Sequence, residues 1–117
     1  MSLLLRPARV VDGVGGTHTG HGVLVEDTRI TRIAPLAEFE GYAGESLDLD
    51  DATLLPGLID CHVHLCFDAE SNPGEVTEKM RPGAVAVRAL ANAQRTLRGG
   101  ITAIRDCGGK DLSLIHI

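Results

Sequence analysis

Residues 54–65 read Leu-Leu-Pro-Gly-Leu-Ile-Asp-Cys-His-Val-His-Leu. This is a short apolar run, interrupted by Pro56-Gly57, that closes on His62-x-His64. A nearly continuous apolar run suits a strand buried on both faces, as in parallel sheets. The Pro-Gly pair makes a bend, so the strand proper is expected from Leu58. Residues two apart on a strand point to the same side. His62 and His64 should therefore share one face, with Asp60 one step deeper on it and Cys61 and Val63 on the other. Two neutral imidazoles at a strand end suit one first-row metal ion. Asp60 is placed to orient a ligand imidazole through a hydrogen bond.

Downstream, Asn72-Pro73-Gly74-Glu75 carries an N-cap residue, Pro at the first helical position and an early carboxylate. A short helix is expected there, ended or kinked at Pro82. A stronger helical signal covers 82–98. Val87, Leu90, Ala91 and Leu97 mark one stripe, with Arg88, Asn92 and Arg95 expected to face away. Gly99-Gly100 supplies a left-handed stop. Ile101 to Arg105 reads as a second strand ending at Asp106-Cys107-Gly108-Gly109. Strand, helix, strand is a βαβ unit with parallel strands. Arg105 and Asp106 then stand at the same rim as the histidines, placed to touch a substrate, with a local ion pair or a turn-stabilising carboxylate the favoured reading. Asp68 and Glu70 are expected to be solvated, and Cys107 to be an inert thiol.

Upstream, the first fifty residues look like short strands. Leu3 to Leu5 and Ala8 to Val11 precede a turn at Asp12-Gly13 and a Gly-rich loop to Gly20. His18 and His21 are expected at its surface. Gly22 to Glu26 and Arg29 to Ile33 flank Asp27-Thr28 as a hairpin with a two-residue connection. Pro35 to Gly44 is expected as a loop or one helical turn, and Ser46 to Leu49 as another short strand. Together these pieces predict one edge of an antiparallel β-structure.

Composition sets outer limits. The chain has 117 residues, 44% hydrophobic and 23% charged, which suits a small globular unit. With 3% aromatic residues and no Trp, the core must be aliphatic. A net charge of -5 and no Lys/Arg cluster argue against nucleic-acid binding. No apolar stretch nears the roughly 18 residues of a membrane span. Leu3-Leu4-Leu5 is cut off by Arg6-Pro7, so no signal peptide is expected. The three cysteines, Cys61, Cys66 and Cys107, are expected as free thiols in the cytoplasm.

The run from Leu55 to Leu65 resembles the signature of the amidohydrolase superfamily of metal-dependent hydrolases. Val11-Asp12-Gly13 and Val23-Leu24-Val25-Glu26-Asp27 look like that family's N-terminal β-sandwich segment. Leu97 to Gly109 is similar to its second barrel strand, leaning toward imidazolonepropionase-like and Xaa-Pro dipeptidase-like enzymes. The resemblance implies an α/β fold: the first βαβ unit of a (β/α)8 TIM-type barrel, residues 54–111, after a β-sandwich segment, residues 1–53. It implies hydrolysis of a C–N bond, amide or cyclic amide, by metal-activated water. His62 and His64 are the only residues it assigns, both as metal ligands; Asp60 and Asp106 are candidates for supporting carboxylates from their places on the two strands. The cofactor is one or two divalent ions, zinc foremost. The substrate is a small molecule or dipeptide-like compound, and the whole protein is expected to be a homo-oligomer. The family's remaining ligands lie on later barrel strands, beyond residue 111. The family usually has Gly where Thr28 stands, so the hairpin is expected to use another turn, since Thr at positive φ is strained.

A (β/α)8 barrel needs about 250 residues, so the chain is expected to be a truncated first part of a longer protein. Residues 112–117 resemble a translated sequencing adapter and are expected to be non-native. Two rival readings remain: a non-catalytic barrel scaffold related to the family, and a small metal-binding module complete in itself.

Overall fold

Strand β1 (Ser2–Val11) is the spine of the first sheet. The computed structural model describes residues 1–109. The chain divides into two units, Met1–Pro56 and a second that begins at Gly57. In the first, β2 (Thr17–Thr19) and β3 (His21–Glu26) both run antiparallel to β1. Their pairings, Arg9↔Thr19 and Leu5↔Val23, belong to one continuous register, so the two are a single path interrupted at Gly20. Gly20 has φ 66°, a conformation that costs glycine little. The Gly-rich loop expected up to Gly20 is therefore shorter, because its last residues join the ladder.

Strand β4 (Arg29–Pro35) pairs with β3 through Glu26↔Arg29, so Asp27-Thr28 is the two-residue connection. Asp27 takes the left-handed position at φ 52° and Thr28 does not, so Thr28 avoids the positive φ that would strain it. A register shift between Leu24 and Val25 leaves Thr31 unpaired. That bulge explains why Ile30 and Ile33 fail to alternate cleanly. A single 3-10 turn, Leu36–Phe39, follows and closes the core of Leu4, Ala34 and Phe39, with Leu24 and Tyr42 packed against it. Gly22 lies under this turn: a Cβ there would sit 3.1 Å from both Leu4 and Leu36 and 3.2 Å from Phe39.

Strand β5 (Glu45–Leu54) corrects two expectations. It spans ten residues, well beyond Ser46 to Leu49, and it runs parallel to β1 from Leu3↔Glu45 to Val10↔Leu54. The sheet is mixed, not purely antiparallel. Asp48, Asp50 and Asp51 hid this strand, because Asp has low β propensity. All three are exposed, and Asp48 pairs with Arg6 at 2.7 Å. β5 also runs through the expected 53/54 boundary, and the unit closes at Pro56.

The second unit holds β6 (Leu58–Val63), α1 (Pro73–Lys79), α2 (Pro82–Arg98) and β7 (Ile101–Asp106). β6 and β7 are parallel neighbours, from Leu58↔Ile101 to Val63↔Asp106. Each helix carries Pro in its first turn, and Gly100 at φ 87° follows the end of α2. The buried face of α2 is a correction. Val85 and Ala89 are 1% exposed, whereas Val87, Leu90 and Leu97 lie 61–69% exposed. The helix instead turns Arg88 and Asn92 inward, toward carbonyls and carboxylates of the loop after β6. β6 is not buried on both faces either, with Ile59 70% exposed. Two strands and one long helix cannot cover both faces of a sheet. The non-native reading of 112–117 lies outside the described residues. No helix among the described residues is long and apolar enough to cross a membrane.

Candidate metal centre

His62 is the fifth residue of β6 and His64 follows the strand's last residue. The ladder carries on past β7, where Cys107 N–H donates to Val63 C=O at 2.8 Å. The alternation of the strand brings the two imidazoles together, with ring centroids 5.3 Å apart and planes at 68°. They stand at the same end of the parallel pair as the Asp106 to Gly109 loop. His64 Nδ1 is 2.6 Å from Gly108 C=O. A carbonyl only accepts, so Nδ1 carries the proton and the neutral ring keeps its Nε2 lone pair for a ligand. The Phe67 ring stacks on His64 at 5.0 Å and 28°.

Both candidate carboxylates bond to the main chain. Asp60 Oδ1 accepts the His62 N–H at 3.0 Å. Asp106 Oδ2 accepts the Leu65 N–H at 3.3 Å and Oδ1 accepts the Gly108 N–H at 2.8 Å. Asp106 thus ties the residue after His64 to the residue whose carbonyl holds the His64 ring. Its work is to brace the turn between the two strand ends. Cys61 and Cys107 are exposed free thiols and Cys66 is buried. Gly109 packs against the Cys66 sulfur, leaving no room for a Cβ.

A divalent ion fits the donor set here: two imidazoles lie side by side with centroids 5.3 Å apart, and one has its tautomer fixed by a backbone acceptor. Two ligands are fewer than the three or four of a protein metal site, and no cluster of three His, Cys, Asp or Glu suited to a metal occurs among the described residues. Sequence reasoning missed the loop's anchors. Asp68 and Glu70 are not merely solvated: Arg88 bonds Glu70 at 2.7 Å and pairs with Asp68 at 3.2 Å. The available signal was Arg88 and Asn92 four residues apart on one helix face, opposite two acids in the loop.

The other histidine pair lies in the first unit. His18 Nε2 is 3.2 Å from Asp12 Oδ2, and the His18 and His21 rings are 5.0 Å apart. Hydrogen bonds from the Val14 and Gly16 backbone, then His18, hold the Asp12 carboxyl below its ordinary pKa of 3.8. A depressed carboxyl pKa means stability that is present above pH 3.8 and lost as pH falls through the lower folded value. We expect the amide NMR shifts of Val14 and Gly16 to titrate together below pH 3.8. In Asp12→Asn that step should vanish, and its persistence would exclude Asp12 as the cause.

Comparison with known proteins gives a consistent result. Residues 53–116 match the Amidohydrolase family. An imidazolonepropionase of Maricaulis maris (strain MCS10) is 29% identical over 116 residues, covering 94% of this chain and 28% of that protein. A dihydroorotase of Syntrophotalea carbinolica (strain DSM 2380 / NBRC 103641 / GraBd1) is 32% identical over 105 residues, covering 89% and 21%. Among solved structures, a Xaa-Pro dipeptidase with bound methionine in its active site superposes with a TM-score of 0.85 at 25% identity, covering 99% of this chain and 29% of that one. The chain thus spans less than a third of these proteins' length.

Proposed function

Because this chain belongs to the amidohydrolase family, we propose that it is the first part of a metal-dependent hydrolase that cleaves a C–N bond, with His62 and His64 among its metal ligands. The observation that carries this reading is the pairing of the two imidazoles, with ring centroids 5.3 Å apart at one strand end and His64 Nδ1 held by Gly108 C=O. In this reading β6 and β7 are the first two strands of a (β/α)8 barrel. In such barrels the active site sits at the C-terminal ends of the strands, where both histidines stand.

His62 and His64 bind the ion, and zinc suits an imidazole donor set. A divalent ion held there supplies Lewis acidity and lowers the pKa of water to about 7. Asp60 fixes the backbone at His62, and Asp106 fixes the backbone on either side of the His64–Gly108 bond. The names of the similar proteins, imidazolonepropionase, dihydroorotase and Xaa-Pro dipeptidase, support a small-molecule or dipeptide-like substrate for the whole protein.

Zinc titration of the 117-residue chain, followed by imidazole NMR, tests the ligand pair. We expect His62 and His64 to shift together, at one ion per chain and with weak affinity, because two ligands leave the site incomplete. Shifts confined to His18 and His21, or a response from only one of the β6 histidines, would refute the pair.

A further inference from the structure

We propose that Asn92 on α2 is a positioning residue for His64, acting through the loop that links β6 to α1. The proposal rests on the reading of His64 as a metal ligand only for its functional consequence. Its structural content stands on three contacts of one side chain. Asn92 Nδ2 donates to Leu65 C=O and Phe67 C=O, each at 2.9 Å, and reaches Asp68 Oδ1 at 3.1 Å.

The two carbonyls flank the buried Cys66, and both belong to the turn that leaves His64. One amide therefore closes the turn around Cys66 from the helix side. The turn is closed from within as well, by Phe67 N–H donating to His64 C=O at 3.0 Å.

Phe67 is the link to the imidazole. Its ring stacks on the His64 ring at 5.0 Å, while Gly108 C=O holds Nδ1. A hydrogen bond at Nδ1 fixes the tautomer and the position of that nitrogen, but leaves the ring free to rock about the bond. A stacked aromatic face removes that freedom. The Phe67 ring can do so only while its own backbone is held, and Asn92 holds it at the Phe67 carbonyl.

The amide is in turn oriented. Asn92 Oδ1 accepts from Arg95 Nη1 at 2.9 Å, so the NH2 group is the end that faces the loop. Arg88, one turn earlier, grips Glu70 and Asp68 and fixes the far end of the same loop. An aspartate at 92 has the same shape but no donor. It would set a carboxylate oxygen against two carbonyls and the Asp68 carboxylate.

The test uses Asn92→Asp in the 117-residue chain without metal. The readouts are the His64 ring-proton shifts, which carry the ring current of Phe67, and the Val85 and Ala89 methyl shifts, which report α2 packing. Phe67→Leu gives the His64 shifts with no stacked ring. We expect Asn92→Asp to move the His64 ring shifts toward those of Phe67→Leu while the two methyls stay in place. Asn92→Asp should also weaken zinc binding at His64 by about 10–100-fold, the usual cost of losing a group that orients a ligand. Unchanged His64 shifts would overturn the proposal. So would collapse of the Val85 and Ala89 methyls, since Asn92 would then hold the helix and not the loop. A wild-type chain that shows no zinc response but the expected His64 shift change would sink the ligand reading and leave the clamp standing.

Discussion

In the whole protein, read as the zinc hydrolase proposed above, replacing His64 with alanine is expected to leave substoichiometric zinc and to lower kcat/KM by more than about 100-fold. The lower bound comes from groups that merely orient a ligand, whose loss costs about 10–100-fold in metal affinity or activity. Removing the ligand itself must cost more. His62→Ala should behave alike, since the two ring centroids lie 5.3 Å apart and a pair of ligands has none to spare. Phe67 and the Gly108 carbonyl would remain, so the loop should keep its form and the defect should be in metal retention, not folding. Metal analysis after gel filtration, paired with steady-state kinetics, separates these effects. Full zinc occupancy with wild-type turnover in either variant would exclude that residue as a ligand.

The candidate site was legible in the sequence because strand alternation is local. Given a strand from Leu58, two-residue periodicity alone puts His62 and His64 on one side. The βαβ order was legible for a similar reason: Asn72-Pro73, Pro82 and Gly99-Gly100 punctuate the chain where α1 and α2 begin and end. What sequence reading missed depends on distant partners. β5 is a strand despite its aspartates because β1 offers it a parallel edge. α2 buries Val85 and Ala89 in place of Leu90 and Leu97, on the stripe that also carries Arg88 and Asn92 with their partners in the loop after β6. A polar side chain on a partly buried face needs a hydrogen-bond partner, and these two find theirs in that loop. The roles of Asp60 and Asp106 follow the same rule, since a short carboxylate beside free backbone N–H groups bonds them first.

Gly57→Ala is expected to destabilise the second unit by about 1–3 kcal/mol, the range for forcing extra atoms into a packed site. A Cβ on Gly57 would lie 2.7 Å from Thr102 Cβ, with Thr102 Oγ1 and Cγ2 nearer still. Thr102 cannot swing clear easily, because a β-branched side chain is stiff at χ1; the ladder skips Thr102 itself, but its neighbours are paired, Leu58↔Ile101 and Ile59↔Ala103. The Leu58 N–H also donates to Gly100 C=O at 2.9 Å, which pins the bend against the start of β7. The strain must therefore appear as a loss of β6–β7 pairing. Thr102→Ala removes the two nearest atoms, so the double variant should recover part of the loss. A coupling of about 0.5–3 kcal/mol is the range for residues in contact. Urea unfolding of the wild type, both single variants and the double variant measures that coupling. Additive effects would mean that the glycine is required for the Pro56-Gly57 bend alone and not for the close approach of the two strands.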